Sequence, residues 1–216
     1  MNDENTESVK AAAEEAVKKG GNVRDEIRDI TLEALSNRTL DMDRVKAVAK
    51  AVVDGAKTGL DVDTADVKKS MDDVAAGLDA ALEKSAQATK LAIEETVARV
   101  KDYKEEDFKH TLDQLHSLEE MFIETLEEAA KTGKSLLQET IQDLATHAKN
   151  TGTAVGKRTS DDIAELKQKI LNVSEAGVTA VSDAAKSFSA DVAQAASGFL
   201  QALSDKLKSN DDQPKS

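Results

Sequence analysis

Apolar residues recur three, four and seven positions apart along most of the chain, and the strict alternation that is typical of β-strands is absent. This spacing places apolar side chains on one face of an α-helix. Many of the residues between them are Ala, Glu, Lys and Gln, which have high helix propensity. The only proline is Pro214, so none interrupts positions 1–213. The sequence therefore predicts an all-α protein.

Residues 1–62 form the first predicted region, with three short amphipathic helices. The first is predicted over residues 6–19, the second from Asn22, and the third from Asp41 until Gly55 and Gly59 weaken it. The apolar faces of the second and third helices carry Val23, Ile27, Ile30, Ala34 and Val45, Val48, Val52, Ala56.

Residues 63–208 form the second predicted region, an elongated antiparallel bundle of long helices. The predicted helices run over residues 63–101, 105–150 and 160–208. Glycines weaken the stretch 150–158, and Thr159-Ser160 can cap a new helix, so the chain is predicted to fold back there. Helices longer than about 25 residues are typical of coiled coils and helical repeats. Residues 209–216 are predicted to form a disordered tail.

Apolar positions in the long helices recur every 11 residues. Rows with this spacing are Met71, Leu82, Ile93; Leu115, Leu126, Leu137, Ala148; and Ile170, Val181, Val192, Leu203. Eleven residues make three turns at about 3.67 residues per turn, so an apolar stripe stays nearly straight along the helix. Two interpretations remain open: the stripe packs long helices against one another, or it lies along a flat surface or a partner.

The C-terminal segment carries few charges and two of the four phenylalanines. Its large apolar side chains fall on one side of a helical wheel, and we call them the C-terminal apolar face: Val181, Phe188, Val192, Phe199 and Leu203. Such a segment is either the most buried helix of a bundle or a face that binds a partner. The many alanines around it permit close helix packing, which favours burial.

Composition and charge exclude several classes of function. The chain has 29 basic and 42 acidic residues, a net charge of −13 and no cysteine. Without cysteine there is no disulfide scaffold, thiolate zinc site or cysteine nucleophile. Strong acidity disfavours nucleic acid and anionic lipid as partners, because both are bound largely through Lys and Arg.

Motifs for catalysis are absent from the sequence, which has no GxGxxG, GxxxxGK[ST] or GxSxG match. One metal-like pattern is Asp107-x-x-His110 followed by Asp113-x-x-His116, since di-iron bundles use a carboxylate three residues before a histidine. The two histidines are six residues apart and point to different sides of a helix. His147, the third histidine, has no carboxylate three residues before it. We therefore predict no catalytic, cofactor or metal residues.

Membrane and targeting signals are also lacking. The first five residues are polar and acidic, unlike a secretory signal, and no apolar run approaches the ~18 residues of a transmembrane helix. We expect a cytoplasmic protein.

Two resemblances follow from these patterns. The repeat Val181-Ser-Asp-Ala-Ala-Lys-Ser-Phe188, echoed by Val192-Ala-Gln-Ala-Ala-Ser-Gly-Phe199, resembles phasin-like granule-coating proteins, apolipoprotein-type helices and late-embryogenesis-abundant stress proteins. The stretches 88–95 and 118–125 look like a proteobacterial family of uncharacterised all-helical proteins. The second resemblance implies a bacterial cytoplasmic protein and carries over no catalytic residue.

These observations predict a non-enzymatic helical scaffold or surface-coating protein that acts through amphipathic helix faces. Its expected partners are a second copy, partner helices, or an apolar granule or lipid surface. Two alternatives remain: a metal-binding or di-iron helical-bundle enzyme, and a stress protectant that becomes helical on drying or on a surface.

Overall fold

The computed structural model describes residues 3–36, 41–60, 66–99, 105–132 and 135–176. Within these ranges α-helix is the only regular secondary structure, which confirms the predicted all-α class. The helices are α1 (Asp3–Lys19), α2 (Val23–Leu35), α3 (Met42–Gly59), α4 (Val67–Arg99), α5 (Glu105–His116), α6 (Leu118–Ala130), α7 (Ser135–Thr151) and α8 (Ala154–Ala176).

Local signals in the sequence place several of these helix ends. Asp41 caps α3, where its carboxylate accepts the backbone N–H groups of Asp43 and Arg44 at 3.0 and 3.3 Å. Gly20 ends α1 with φ +67°, and its N–H donates to the carbonyl of Ala16 at 3.2 Å. A left-handed glycine directly after a helix is a common helix terminator.

Helix α3 continues through Gly55 and ends at Gly59, and both glycines lie against α1. A Cβ on Gly55 would stand 2.1 Å from the Lys10 carbonyl oxygen, and one on Gly59 would stand 2.5 Å from that of Glu14. The helix backbones therefore approach more closely than any side chain would permit. Because contacts one turn apart follow the same order on both helices, α1 and α3 run in the same direction.

The predicted continuous helix over residues 105–150 is wrong, because the structure divides it into α5, α6 and α7. Between α5 and α6 the Ser117 hydroxyl donates to the Asp113 carbonyl at 3.0 Å. A serine that bonds back to the preceding turn in this way bends a helix. Between α6 and α7, residues 131 and 132 form a turn, and Gly133 follows them in the sequence.

The break predicted for residues 150–158 is a turn of two residues, Gly152 and Thr153. Gly152 adopts φ +75° and donates its N–H to the Ala148 carbonyl at 2.9 Å, which ends α7. The next helix begins at Ala154 rather than at residue 160, because Thr153 provides the cap in place of Thr159-Ser160.

One core of buried side chains contains residues from α1 through α8. Met71, Leu82 and Ile93, which share the 11-residue spacing on α4, are all buried. The row that starts at Leu115 is also buried, but its members are spread over three helices. Among the described residues, Leu136 is the only large hydrophobic side chain that is exposed, at 49%.

Candidate functional site

The N-terminus of α8 is held by a carboxylate from α4. Asp79 accepts the backbone N–H groups of Ala154 and Val155 through its two carboxylate oxygens, each at 2.9 Å. These groups belong to the first turn of a helix, where N–H groups have no partner inside the helix and carry partial positive charge. A carboxylate is therefore the complementary group at this position.

A second carboxylate, from α6, reaches the same helix end. Glu119 accepts hydrogen bonds from the backbone N–H and the hydroxyl of Thr153 at 2.9 and 2.8 Å. The Thr153 hydroxyl accepts in turn the N–H of Gly156 at 2.9 Å. We call Asp79, Glu119 and Thr153 the α8 clamp. Together they satisfy the N–H groups of residues 153–156, and the first intrahelical bond, from Lys157 to the Thr153 carbonyl, follows at 3.1 Å.

The surroundings of Asp79 in the α8 clamp disfavour its ionised form. Burial raises the pKa of Asp79 above its ordinary value, and the nearby charge of Glu119 raises it further. The two backbone hydrogen bonds from Val155 and Ala154 lower the pKa but do not cancel the effect of burial. The clamp thus holds two carboxylates close together, with α8 backbone N–H groups as their partners.

Farther along the same two helices lies a cluster of charged side chains, which we call the α4–α8 ion cluster. Its members are Lys90, Glu94, Arg158, Asp162 and Glu165. Lys90 Nζ donates to Glu165 and lies 3.4 Å from Asp162 Oδ1 and 3.7 Å from Glu94 Oε1. Arg158 Nε donates to Asp162 Oδ2 at 3.0 Å. The Asp162 side chain is only 2% exposed.

The cluster shifts the titration of its two central groups. Burial alone lowers the pKa of Lys90, but the hydrogen bond to Glu165 and the charges of Asp162 and Glu94 outweigh burial and raise it above its ordinary value. Burial raises the pKa of Asp162, against the opposing charges of Arg158 and Lys90. Lys90 is therefore a cation at neutral pH.

Basic side chains donate hydrogen bonds to carbonyl groups at two helix C-termini. Lys57 Nζ on α3 donates to the Ala129 carbonyl at 2.9 Å and to the Thr132 hydroxyl at 2.6 Å, at the end of α6. Arg44 on α3 donates to the carbonyl of Ala34 at the end of α2. Cations stabilise helix C-termini, where carbonyl groups lack intrahelical partners. The Lys57 contacts join helices that are 72 residues or more apart in the sequence, whereas Arg44 joins the consecutive helices α2 and α3.

The chemistry of these sites is that of structural attachment. The acceptors of the α8 clamp are occupied by α8 donors, and the acids of the ion cluster face Lys90 and Arg158. Across the described ranges, no group of three or more His, Asp or Glu side chains has a geometry that could hold a metal ion.

The residues singled out from the sequence are not brought together at these sites. The C-terminal apolar face (Val181, Phe188, Val192, Phe199 and Leu203) lies outside the described residues. His116 and His147 are exposed, on α5 and α7. The side chains of Asp107 and His110 are outside the described part of the structure.

Sequence reasoning missed both the α8 clamp and the ion cluster. A partial signal was present, since Lys90–Glu94 and Arg158–Asp162 are opposite charges four residues apart, the spacing at which helix side chains pair. Many such pairs lie on exposed helix faces. Their burial depends on contact between α4 and α8.

No helix in the described ranges is both long and apolar enough to cross a membrane. Comparison with known sequences finds one family model, described as a family of unknown function (DUF6781), which matches residues 1–209. No curated protein and no solved structure matches the chain. The family match covers nearly the whole sequence, and the chain belongs to this family, DUF6781, whose function is unknown.

Proposed function

We propose that the protein is a non-enzymatic helical scaffold or surface-coating protein, in which a folded helical body carries an amphipathic segment that covers an apolar surface. The observation that carries the proposal is the C-terminal apolar face. In residues 173–203 only Glu175, Asp183, Lys186 and Asp191 are charged. In a chain with 33% charged residues, this segment is depleted of charge on the side where its phenylalanines are grouped.

The packing of the described helices supports this assignment of the binding segment. Their large apolar side chains are used within the core, with Leu136 exposed as an isolated exception. Isolated surface hydrophobics are ordinary features of folded proteins, whereas contiguous patches mark binding sites. The described side chains of α1–α7 therefore offer no contiguous apolar patch, and we assign surface binding to the C-terminal apolar face.

The test is flotation of the purified full chain with triolein droplets coated with phosphatidylcholine. We expect wild type to float with the droplets and Phe188→Ala/Phe199→Ala to stay in the aqueous phase, because burial of each phenylalanine contributes about 1.5–3 kcal/mol. Gln194→Ala/Gln201→Ala is the matched control, since these positions lie opposite the phenylalanines on a helical wheel. It should float like wild type.

Stability measurements separate binding from a structural role of the same face. A surface-binding face predicts that Phe188→Ala changes the free energy of unfolding by less than about 1 kcal/mol. A buried structural helix predicts a loss of about 3–5 kcal/mol and a lower Tm. That loss, or failure of wild type to float, would contradict the proposal.

A further inference from the structure

The described part of α8, residues 154–168, contributes few apolar side chains to the core, with Ile163 only partly buried against it. Of the α8 side chains that the structure describes (residues 154–168), four are buried, and only Val155 and Leu166 are apolar. By contrast, the 18-residue α3 buries eight residues, all of them apolar or glycine. Hydrophobic stabilisation grows with the apolar area removed from water. Over residues 154–168, the attachment of α8 therefore depends less on apolar burial than that of α3.

Polar contacts hold α8 against α4 and α6 at two places. The α8 clamp fastens the first turn, and the ion cluster fastens the helix two to three turns later. Hydrogen bonds and buried ion pairs make small net contributions, because each partner gives up water on docking. The described contacts thus give α8 one defined position on α4 with a modest net free energy of attachment.

The two attachments share one register along the helices. Asp79 meets Ala154 and Lys90 meets Glu165, and both pairs are separated by 75 residues in the sequence. The contact points are thus 11 residues apart on α4 and 11 residues apart on α8, which is three helical turns on each. Because both follow the same order, α4 and α8 run in the same direction. Sliding α8 along α4 would break both attachments together.

The connection to α7 permits movement of α8 about a single point. Only Gly152 and Thr153 separate the two helices, and Gly152 has φ +75°. Glycine reaches both signs of φ without steric cost, so this residue can absorb a change of direction. Thr153 is bound to α6 through Glu119, which holds the turn while α8 is docked.

We propose that α8 is a detachable element of this fold, released from α4, α5 and α6 as one unit about the Gly152–Thr153 turn while α1 to α4 remain packed. The α8 clamp and the ion cluster are the contacts that open. Release exposes Val155 and Leu166 together with the charged groups of α4 that face them. This device is independent of the proposed function, since it concerns the docking of α8 and not the C-terminal apolar face.

The test is native-state hydrogen exchange on the full chain at increasing, sub-denaturing urea. We expect amides of residues 157–166 to exchange about 100-fold faster than those of residues 45–56 in α3, as is typical of a region that opens below the global free energy. Their exchange should also depend more weakly on urea, because local opening exposes less surface. Equal rates and equal urea slopes in the two segments would overturn the proposal.

Two variants test which contacts control the opening. Asp79→Asn replaces one of the two carboxylate oxygens that accept α8 N–H groups with an NH2 donor, and Lys90→Met removes the cation of the ion cluster. Each should accelerate exchange of residues 157–166 about tenfold, as expected for loss of a charge-assisted hydrogen bond, without changing residues 45–56. Lys46→Met is the control, because Lys46 pairs with Glu124 and Glu128 at an exposed site away from α8. Equal acceleration in both segments would show that α8 opens only with the whole fold.

The wild-type comparison does not depend on the variants. If either substitution prevents folding, the difference in exchange between residues 157–166 and 45–56 of wild type still decides whether α8 is a separate unit.

Discussion

The carboxylate of Glu119 occupies the space that a side chain at Gly156 would fill. A Cβ built on Gly156 would stand 2.0 Å from Glu119 Cδ, while the same carboxylate accepts two hydrogen bonds from Thr153. The glycine therefore permits a side chain of α6 to reach the N-terminus of α8. This glycine is required by a tertiary contact, since α8 continues through it as regular helix.

Gly156→Ala should destabilise the protein by about 1 kcal/mol. The added methyl group displaces the Glu119 carboxylate and weakens its two charge-assisted hydrogen bonds, at a cost of about 2 kcal/mol, the order of one such bond. Alanine recovers about 1 kcal/mol through its higher helix propensity. Urea unfolding measures the change.

The same substitution should reverse sign in a Glu119→Ala background. There the methyl group displaces nothing, so only the gain in helix propensity remains. Destabilisation of similar size in both backgrounds would contradict the role given to Glu119.

Gly55→Ala should destabilise the protein by about 2 kcal/mol. The new Cβ meets the carbonyl oxygen of Lys10, a backbone atom that can move only if α1 and α3 separate. Overpacking of this kind costs about 1–3 kcal/mol or more, which outweighs the helix propensity of alanine. Lys50→Ala, at an exposed position of α3, is the control for the change in propensity. Gly55→Ala with wild-type stability would show that the helices are not in backbone contact.

Lys57→Met should reduce the free energy of unfolding by about 1–2 kcal/mol. The substitution leaves the carbonyl of Ala129 without the Lys57 ammonium group at the end of α6, where positive charge is favourable. The Lys57 side chain is 11% exposed, so water replaces it poorly. Lys46→Met removes a solvent-accessible ion pair, whose side chains are 40% and 51% exposed, and should produce no measurable change. Equal effects of the two substitutions would contradict the capping role of Lys57.

The free energy of unfolding should depend on pH through the protonation of Asp162. Burial raises the pKa of this carboxyl in the folded protein above its ordinary value of 3.8. The folded state then binds the proton more tightly than the unfolded chain. The contribution of Asp162 to stability is thus fully present below pH 3.8 and is lost as the pH rises through the folded pKa.

We therefore expect the free energy of unfolding of wild type, relative to Asp162→Asn, to fall as the pH rises through this window. Urea unfolding at a series of pH values measures the difference, and Asp161→Asn, at the exposed neighbouring position, controls for loss of one carboxylate. A rise over the same window would mean that Lys90 and Arg158 dominate over burial.

Much of the fold could be read from local sequence patterns. Helical spacing of apolar residues predicted the all-α class, and Asp41 and Gly20 marked the ends of helices because capping and left-handed glycines act on the adjacent turn. The same local reasoning failed for residues 105–150, where apolar spacing continues across the turn at residues 131–132. A short break that preserves helical spacing leaves little trace in periodicity.

Helix formation and the apolar face of each helix could be predicted from local patterns alone, because both depend on residues within a few turns of one another. Which charged side chains are buried depends on how the helices pack. Lys90 on α4 and Asp162 on α8 are far apart in the sequence, and each would suit a solvated helix surface until the two helices meet. In the sequence, Gly55 and Gly156 likewise look like residues that weaken a helix. The structure shows that a side chain is excluded at Gly55 by Lys10 and at Gly156 by Glu119. Close approach and desolvation are properties of paired helices, which a local pattern does not contain.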